Sequence, residues 1–504
     1  MKVLTAEEMR EADRRTIELG IPGLILMENA ACRVVEFLVE RGLLTAPKNQ
    51  TLPIVGQASA CAEFQLRYAR EAQRIVIICG KGNNGGDGLA IARQILVNYK
   101  PQSLDVFLVA TPEELHGDAE ANYKMYLAAG GTFTSSLETR MGAATLVLDA
   151  LLGTGLRGEP NETYAHWIRT INTAFPSAIR VAVDIPSGLG SSTEVHAHHT
   201  VTFTAPKVSM LDAAAVGELI VAPIGTSQEI LNGATINLTT EDDIALLTRP
   251  RVKDGHKGLY GHVLVIAGGP GKTGAAHMVG LAALRAGAGL VTVASSDHTG
   301  FPPELMTAPL TQPLPLDRKT VVAIGPGLGT DPISVELVRN LAKTLDIPMV
   351  IDADAITALA GVENPWPATA KPRILTPHPG EMDRLAPKSL SAQSKDRIAT
   401  ARAYATQHHC CVVLKGNRTV IAFADGQVWI NPTGSPAMAK AGSGDILTGL
   451  IAGFIAQFPN DWQTAVIAAV YRHGQAGERA AETEGEKHVL ATGLLRFLER
   501  SPGQ

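Results

Sequence analysis

The chain has few cysteines and few aromatic residues. Its 504 residues include only five cysteines and 5% aromatic side chains. The cysteines form no C-x-x-C pair, and their odd number argues against a disulfide framework, so we expect a protein of the reducing cytoplasm. They are Cys32, Cys61, Cys79, Cys410 and Cys411.

The chain also has only a small excess of negative charge and few long apolar runs. The formal net charge is −5, and no basic stretch is long enough to suggest nucleic acid. The most apolar predicted helix, 446–458, is too short to span a bilayer, and the charged residues 1–16 lack the apolar core of a signal peptide. We therefore expect a cytoplasmic enzyme without a nucleic-acid or membrane partner, assembled as a homo-oligomer.

The length predicts at least two domains, because 504 residues exceed what one core usually holds. In the first half, strand-like apolar runs alternate with amphipathic stretches, which indicates a parallel sheet covered by helices, with ligands at the carboxyl ends of the strands. The predicted strands are 74–79, 104–110, 145–152, 180–185 and 200–205. The predicted helices are 5–20, 23–41, 86–98, 114–129 and 161–174, and residues 42–72 form a poorly patterned insertion.

A polar, turn-rich break at 225–260 precedes a second alternating series. Its strands begin with HVLVIAGG, LVTVAS, VVAIGPGLG, MVIDADAI and RILTPHPGEM, and its helices are predicted at 274–288, 332–345, 391–407, 442–458 and 462–482. The dipeptide Asp425-Gly426 marks a hairpin, so the second sheet is expected to be mixed. We interpret the chain as an α/β fusion of two domains, 1–235 and 236–504.

The segment GKGNNGGDG, residues 80–88, has five glycines in nine positions and follows an apolar strand. Residues 80–85 match G-x-G-x-x-G, but the acid expected about twenty residues later at the far end of the next strand is missing, since Asp105 opens that strand. The segment therefore predicts a loop that cradles a phosphate or an ion and differs from an ordinary NAD fingerprint.

A second glycine-rich segment, AGSGDILTG at 441–449, precedes a predicted helix. Gly442 and Gly444 let the backbone approach an anion, and the N–H groups of the helix start favour phosphate. Asp445 could accept the proton of an attacking hydroxyl while the amides hold the phosphoryl group. Its other interpretation is a helix N-cap after a glycine turn.

Further glycine-rich turns follow other strands of the second series, in AGGPGKTG, GPGLG and KGNRT, while TPHPGE adds a histidine and a glutamate. With IDADAI and AMAKAGSGDILTG, these motifs closely resemble, in order and spacing over 255–460, the ADP/ATP-dependent NAD(P)H-hydrate dehydratases, which have a ribokinase-like fold. The family often has serine and methionine where this chain has Pro270 and Lys272.

The resemblance implies that ADP or ATP is bound and that Mg²⁺ assists the phosphoryl transfer. It implies a nucleotide site formed by Lys415, Gly416, Asn417, Arg418, Thr419 and Gly444. It also places Ala275, Gly327, His378 and Asp445 at the hydrated nicotinamide, with Asp445 as the base. Phosphorylation of the hydrate hydroxyl and elimination of phosphate would then restore the dihydronicotinamide ring.

In the first domain, Asn84, Asp149 and Asp184 stand at strand ends that should converge at one edge of the sheet. Together with serine oxygens they would suit a hard cation, although Asp149 and Asp184 could each simply cap a loop. The motifs GIPGLILMENAA, GKGNNGGDGLAIAR, LDALLGTGLRG, AVDIPSGL and TFTAPK resemble, over about 5–210, the NAD(P)H-hydrate epimerase domain, whose fold is a Rossmann-like three-layer α/β domain.

This second resemblance implies that Asn84, Asp149 and Ser187 bind K⁺. It implies contacts with the hydrated cofactor from Asn83, Asn84, Gly85, Gly86, Asp87, Gly153, Thr154, Gly155, Leu156, Arg157, Gly158, Glu159 and Asp184. We expect acid–base chemistry from Asp184. Lys207 is either a helper or a solvated lysine at a strand end.

Two histidine-rich patterns are weaker signals. HAHH at 196–199 lacks a cysteine or carboxylate at ligand spacing, and His408-His409-Cys410-Cys411 lies at a helix-to-strand junction, where packing is expected.

The fusion favours a bifunctional enzyme that repairs NADHX and NADPHX, the hydrated forms of NADH and NADPH. Hydration of the cofactor gives two epimers, and a dehydratase with a chiral pocket accepts only one of them. An epimerase in the same chain would convert the other epimer into the accepted one. Two alternatives remain at this point: the second domain could be a small-molecule kinase of the ribokinase superfamily, and the first could be a non-catalytic nucleotide sensor.

Overall fold

The computed structural model describes residues 1–45, 73–248, 250–311, 313–368, 370–386 and 396–498. Most of the predicted insertion at 42–72, including Cys61, lies outside these residues. The chain divides into two compact units, Lys2–Ala234 and Thr235–Gln504 together with Met1. None of the helices formed by the described residues is both long and apolar enough to cross a membrane.

The N-terminal unit is built around a six-stranded sheet of order β3-β2-β4-β5-β6-β7 in which neighbours run parallel. Its strands are β1 (Lys2–Val3), which lies outside that sheet, β2 (Arg74–Cys79), β3 (Ser103–Leu108), β4 (Leu146–Ala150), β5 (Ile179–Val183), β6 (His199–Phe203) and β7 (Glu218–Ala222). Its helices are α1 (Ala6–Glu18), α2 (Gly23–Glu40), α3 (Asn83–Asn98), α4 (Gly117–Ala128), α5 (Glu162–Thr173) and α6 (Gln228–Leu231).

Strand β2 shows how this unit forms three layers. Successive side chains of a strand point to opposite faces, and Ile75 and Ile77 pack in one apolar cluster with residues of α2 and α3. Val76 and Ile78 pack in a second cluster with residues of α5. The sheet is thus covered on both faces, and the predicted three-layer α/β fold is confirmed.

The C-terminal unit has a mixed sheet in which β16 is antiparallel to both neighbours, which confirms the predicted hairpin. The strand order is β8-β17-β16-β15-β14-β13-β12-β9-β10-β11. Its strands are β8 (Ile236–Leu238), β9 (His262–Ile266), β10 (Leu290–Ser295), β11 (Met306–Pro309), β12 (Val321–Ile324), β13 (Met349–Ile351), β14 (Arg373–Leu375), β15 (Cys411–Leu414), β16 (Val420–Ala422) and β17 (Val428–Ile430). Its helices are α7 (Glu241–Ile244), α8 (Thr273–Ala286), α9 (Pro332–Thr344), α10 (Asp354–Leu359), α11 (Pro379–Leu385), α12 (Arg397–Gln407), α13 (Ser443–Gln457) and α14 (Trp462–Glu484).

Glycines bring α13 against α8. A Cβ atom at Gly449 would collide with the carbonyl oxygen of Val279, and one at Gly453 would come within 2.6 Å of the Ala283 carbonyl oxygen. Only glycine permits this backbone approach. The close packing places the first turn of α13, with Asp445, at the carboxyl ends of the parallel strands.

Two predicted features need correction. The glycine-rich segment after β2 is not a loop throughout: α3 begins at Asn83, three positions before the predicted start at 86, so Asn83 to Asp87 form its first turns. The strands β1, β7, β8 and β11 were not predicted. The strands β1 and β8 have only two and three residues, and β8 lies within the predicted break at 225–260. The strand β11 is mostly exposed and contains Pro309, and β7 has only one buried residue.

Candidate active sites

The first site lies where the strand order of the N-terminal sheet changes direction. The chain passes from β2 outward to β3 and then returns to β4 on the other side of β2, which makes the crevice beyond β2 and β4 the expected ligand position. A cavity of about 580 Å³ opens there, lined by the segments that follow both strands. The start of α3 faces this cavity, so its free N–H groups favour an anionic ligand.

Most of the predicted substrate contacts line this cavity. They are Asn83, Asn84, Asp87, Gly153, Thr154, Gly155, Leu156, Arg157 and Asp184. The other four do not line it. Gly85 packs on the Gly80 carbonyl, Gly86 packs on the Met27 thioether, and Glu159 accepts hydrogen bonds from Ser192. Gly158 has a φ of 77°, which favours glycine.

Asp184 follows β5 in a strained backbone conformation, with a φ of 65°. Its Oδ1 accepts hydrogen bonds from the Thr202 hydroxyl and the Phe203 N–H, both at 3.2 Å, and from the Lys207 ammonium group. Lys207 is only 2% exposed, so the interpretation as a solvated lysine is wrong. The ion pair holds the Asp184 carboxylate in one orientation at the cavity wall.

Two more carboxyl groups line the same cavity, Asp13 from α1 and Asp87 from α3. Burial and the charge of Asp184 raise the pKa of Asp13 to about 6, and Lys207 opposes this shift. Burial, followed by the charges of Asp184 and Asp13, raises the pKa of Asp87 well above its usual range. The cavity therefore holds two carboxyl groups with raised pKa values beside one that is paired with a lysine.

Asn84, Asp149 and Ser187 converge beside this cavity, as predicted from their strand ends. Asp149 and Ser187 are fully buried, and the Ser187 hydroxyl donates to Asp149 Oδ1 at 2.5 Å while the Ser187 N–H donates to Oδ2 at 2.8 Å. Asn84 Nδ2 donates to the Leu152 carbonyl oxygen at 2.9 Å, and the Leu152 N–H donates to the Ser187 hydroxyl at 2.8 Å. Burial raises the pKa of Asp149 to about 6, against the hydrogen bonds from Ser187 and Leu151.

The second site lies at the corresponding switch point of the C-terminal sheet, where β9 has β10 on one side and β12 on the other. The turns after β9 and β12 are joined by hydrogen bonds from the N–H of Gly268 to Pro326 and from the N–H of Gly269 to Gly327. A Cβ atom at Gly327 would lie 3.3 Å from the Ala275 side chain. The structure thus brings together these two predicted substrate contacts.

Asp445 lies in the first turn of α13, whose N-cap is Gly442 with a φ of 91°. The interpretation of Asp445 as the N-cap is therefore wrong, and the cap makes no side-chain hydrogen bond that would compete with an anion for the first N–H groups. Burial, together with the charge of Asp352, raises the pKa of Asp445 to about 6, and Lys415 opposes this shift. At neutral pH the group is an ionised carboxylate of increased basicity, which suits a general base.

Asp352 and Lys415 form a buried ion pair beside Asp445. Lys415 Nζ lies 2.9 Å from Asp352 Oδ1 and 3.8 Å from a carboxylate oxygen of Glu381, while the Thr448 hydroxyl donates to Asp352 Oδ2 at 2.8 Å. Asp352 is 1% exposed. The pair fixes the position of the Lys415 ammonium group, which can neutralise charge on a phosphoryl group.

A cavity of about 700 Å³ extends from Lys415 along the start of α13 to α14. All the predicted nucleotide contacts line it, as does His378, which caps α11 and accepts a hydrogen bond from the Glu381 N–H. His473, a residue that the sequence did not single out, also lines it, and burial lowers the pKa of His473 to about 4. His473 is therefore neutral at pH 7, with Nε2 3.4 Å from the Ser443 hydroxyl.

Comparisons with known proteins agree with this architecture. A family model described as NAD(P)H-hydrate dehydratase matches residues 263–500, and one described as the YjeF-related protein N-terminus matches residues 23–209. The bifunctional NAD(P)H-hydrate repair enzyme Nnr of Moorella thermoacetica is 40% identical, over 99% of this chain and 96% of that protein. The enzyme of the same name from Coxiella burnetii is 37% identical, over 94% and 98%.

The chain belongs to the bifunctional NAD(P)H-hydrate repair enzymes. The predicted family and the predicted pair of domain types are thereby confirmed. A crystal structure of the ADP/ATP-dependent NAD(P)H-hydrate dehydratase from Bacillus subtilis, co-crystallised with ATP/Mg²⁺, is 34% identical over 52% of this chain and 96% of that chain, with a TM-score of 0.47.

Several residues of this repair enzyme's cavities had no clear signal in the sequence. Asp13 is one acidic residue among several in a charged amphipathic helix. Asp352 belongs to the motif IDADAI, which contributes to the family resemblance but indicates no role for this residue. The histidines of the two weak motifs contact neighbours: His198 accepts from the Arg180 N–H, His199 pairs with Glu218, and the His408 carbonyl accepts from Trp366.

Proposed function

We propose that the two units repair hydrated NADH and NADPH in succession, the N-terminal unit by epimerising the hydrate and the C-terminal unit by dehydrating one epimer with ADP or ATP. The observation that carries this proposal is one cavity in each unit. The first lies at the switch point of its sheet with Asp184 at its wall, and the second extends from Lys415 along the start of α13, the helix whose first turn holds Asp445. Full-length membership in the family of repair enzymes supports the pairing of these activities.

In the C-terminal unit, Asp445 would take the proton of the hydrate hydroxyl as that oxygen attacks the terminal phosphoryl group. The first N–H groups of α13 and the Lys415 ammonium group would balance the charge on the phosphoryl oxygens. Elimination of phosphate then restores the double bond of the ring. The segment from Lys415 to Thr419 and Gly444 would hold the nucleotide, and Ala275, Gly327 and His378 would contact the hydrated ring.

In the N-terminal unit, Asp184 would act at the hydrated ring carbon. Its ion pair with Lys207 orients it, and the start of α3 would stabilise the diphosphate of a dinucleotide. The residues from Asn83 to Asp87 and from Gly153 to Glu159 would surround the cofactor.

A potassium ion fits the cluster beside this cavity. The Asn84 Oδ1 atom is buried and has no hydrogen-bond partner among the described residues, which costs free energy unless a ligand binds it. One carboxylate, a serine hydroxyl and an amide oxygen give a donor set of low charge, which suits a monovalent ion better than Ca²⁺ or Mg²⁺. Asn84, Asp149 and Ser187 would hold the ion and so fix the segment after β4.

For Mg²⁺ the protein donors are sparse. No group of three or more His, Cys, Asp or Glu side chains within the described residues is arranged to hold a metal ion. Two carboxylates beside the nucleotide site, Asp352 and Glu381, already form ion pairs with the Lys415 ammonium group. A magnesium ion would therefore be held mainly by the nucleotide phosphates and water.

The test is incubation of the purified full-length protein with each epimer of hydrated NADH, with and without ADP. We expect interconversion of the epimers without nucleotide, and conversion of both to NADH with release of phosphate when ADP is present. A stable phosphorylated product would instead indicate the kinase alternative, and an absence of interconversion would indicate a non-catalytic N-terminal unit. Gel filtration of the same sample would test the expected homo-oligomer.

A further inference from the structure

Epimerisation of a hydrated nicotinamide requires both an acid and a base. A dihydronicotinamide is a cyclic enamine, so hydration puts the hydroxyl on the carbon next to the ring nitrogen. That carbon is inverted when the hydroxyl leaves as water and a new water adds to the other face. The leaving hydroxyl must gain a proton and the arriving water must lose one.

Asp184 is equipped for only one of these tasks. Its Oδ1 accepts hydrogen bonds from Thr202, Phe203 and the buried ammonium group of Lys207. Hydrogen bonds and a cation of this kind stabilise the ionised carboxylate. Asp184 is therefore suited to accept the proton of the arriving water, and the proton donor must be another group.

Asp13 and Asp87 line the same cavity and differ from Asp184 in their contacts. Neither carboxyl group makes a hydrogen bond or ion pair with any other residue that the structure describes. Asp87 is 9% exposed, so this side chain is a nearly buried carboxyl group without a salt-bridge partner among the described residues. Such groups are costly unless they bind a ligand or carry a proton.

Helix α1 holds Asp13 firmly at the cavity. Met9 and Ala12 of this helix are buried in a cluster with Ala205, and the Leu4 N–H donates to the Pro206 carbonyl oxygen at 3.0 Å, directly before Lys207 in the chain. Met9, Arg10 and Asp13 all line the cavity. The N-terminal helix thus contributes a carboxyl group that stands apart from the glycine-rich segment and from β5.

We propose that Asp13 is a catalytic residue of the epimerase, the general acid that protonates the leaving hydroxyl while Asp184 serves as the base. This inference rests on the proposed epimerase function of the N-terminal unit. Asp13 is favoured over Asp87 because Asp13 is the less buried of the two, and a proton donor must exchange its proton with solvent between turnovers.

The reaction conserves protons and electrons. The Asp13 carboxyl gives its proton to the hydroxyl, the carbon–oxygen bond breaks with its electron pair leaving in water, and the lone pair of the ring nitrogen forms a C=N⁺ bond. A second water then attacks the other face, its oxygen forms the new bond, and its proton passes to the Asp184 carboxylate. Exchange with solvent returns Asp13 to its protonated form and Asp184 to its ionised form.

The raised pKa of Asp13, about 6, agrees with this role. Besides Asp87, Asp184 and Lys207, the charged groups that line the cavity are Arg10, Lys81, Asp118 and Arg157. Above this pKa the acid is lost, so the rate of epimerisation should fall as the pH rises, and this alkaline limb should belong to Asp13.

The experiment compares Asp13→Asn, Asp13→Glu and the control Glu7→Gln, an exposed position on the same helix. Epimerisation of one purified epimer is followed from pH 5 to 9 without nucleotide in the full-length protein, with the uncatalysed rate subtracted. We expect Asp13→Asn to lose about 10²–10⁴-fold, the range for removal of an acid–base group. Asp13→Glu should retain part of the rate with a displaced alkaline limb, and Glu7→Gln should match the wild type.

Retention of more than about a tenth of the wild-type rate by Asp13→Asn overturns the inference. So does an alkaline limb that coincides in the wild type and in Asp13→Glu, and this comparison decides the matter even if Asp13→Asn does not fold, as judged by circular dichroism. A wild-type protein without any epimerisation would refute the proposed function itself, whereas an active wild type with an active Asp13→Asn variant would refute only the role of Asp13.

Discussion

Replacement of Asp445 by asparagine should make the protein more stable and less active at the same time. The carboxylate is partly buried beside the ionised Asp352, which is why the pKa of Asp445 is raised. Asparagine has nearly the same shape but no charge. It therefore removes the electrostatic penalty of the folded state together with the base that the dehydration needs.

The magnitude follows from the pKa. A rise from 3.8 to about 6 means that ionising Asp445 is harder in the folded protein than in the unfolded chain. At about 1.4 kcal/mol per pKa unit this corresponds to at most about 3 kcal/mol at pH 8. Because the group keeps some contact with solvent, we expect asparagine to raise the free energy of unfolding by about 1–3 kcal/mol. The dehydration rate should fall by about 10²–10⁴-fold.

The dependence on pH has a definite sign. A raised carboxyl pKa means that the folded state binds the proton more tightly, so the wild type carries the penalty above about pH 6 and loses it as the pH falls toward 3.8. The stability gain of Asp445→Asn should therefore be full at pH 8 and shrink as the pH is lowered through 6. The wild-type dehydration rate should rise through the same region because the base must be ionised.

The assay is denaturant unfolding of the full chain at pH 8, 6 and 5, in which the transition that ADP stabilises is assigned to the C-terminal unit. Dehydration is measured in parallel with the favoured epimer and ADP. Asp461→Asn, an exposed position at the start of α14, is the matched control and should change neither quantity. If Asp445→Asn destabilised the unit at pH 8, or kept more than about a tenth of the wild-type rate, the assignment of Asp445 as a base with a raised pKa would be refuted.

The remaining predictions concern the other cluster, the nucleotide cavity and the units as wholes. Asp149→Ala should weaken epimerisation and its dependence on K⁺ while ADP-dependent dehydration of the favoured epimer stays unchanged; equal loss of both would indicate general unfolding. Gly444→Ala should fold normally, because the added Cβ would lie 3.4 Å from Lys415 Nζ, an ordinary contact distance. The methyl group would reduce the space for the phosphate, so the KM for ADP should rise about tenfold, or about 1.4 kcal/mol. An unchanged KM would contradict this placement of the phosphate. Residues 1–235 alone should interconvert the epimers without nucleotide, and residues 236–504 alone should dehydrate only one epimer; complete consumption of both by the second fragment would contradict the division of labour.

The buried strands of both sheets were predictable, because parallel strands covered on both faces read as continuous apolar runs. Segments such as RIVIIC and HVLVI are fully explained in this way. The edge strands β7 and β11 were missed for the opposite reason. An edge strand tolerates exposed residues and proline, so ELIVA and MTAP carry little of the pattern that identifies a strand.

Clusters of site residues were also predictable where the residues belong to one motif or follow successive strands, because the carboxyl ends of parallel strands lie at the same edge of the sheet. The rule predicts that Asn84 and Asp149 lie close together, whereas Ser187 was expected beside them because of the family resemblance. The position of Asp13 in the same cavity as Asp184 could not be predicted, because α1 reaches the cavity only through the packing of its buried face, and no local pattern encodes that position.

Both cavities share an electrostatic arrangement that no sequence motif displays. In the C-terminal unit Lys415 is paired with Asp352, and burial together with the charge of Asp352 raises the pKa of the neighbouring Asp445 against the opposing charge of Lys415. In the N-terminal unit Lys207 is paired with Asp184, and it is the unpaired Asp13 that has a pKa near neutrality. In each unit, then, one carboxylate is paired with a lysine, and the adjacent carboxyl group has a pKa of about 6, so it can exchange a proton near neutral pH. A carboxyl group with such a pKa can either accept or donate a proton. Asp445 would take a proton from the hydrate hydroxyl in the C-terminal unit, and Asp13 would give one to it in the N-terminal unit. An aspartate beside a lysine–aspartate pair would thus serve both reactions.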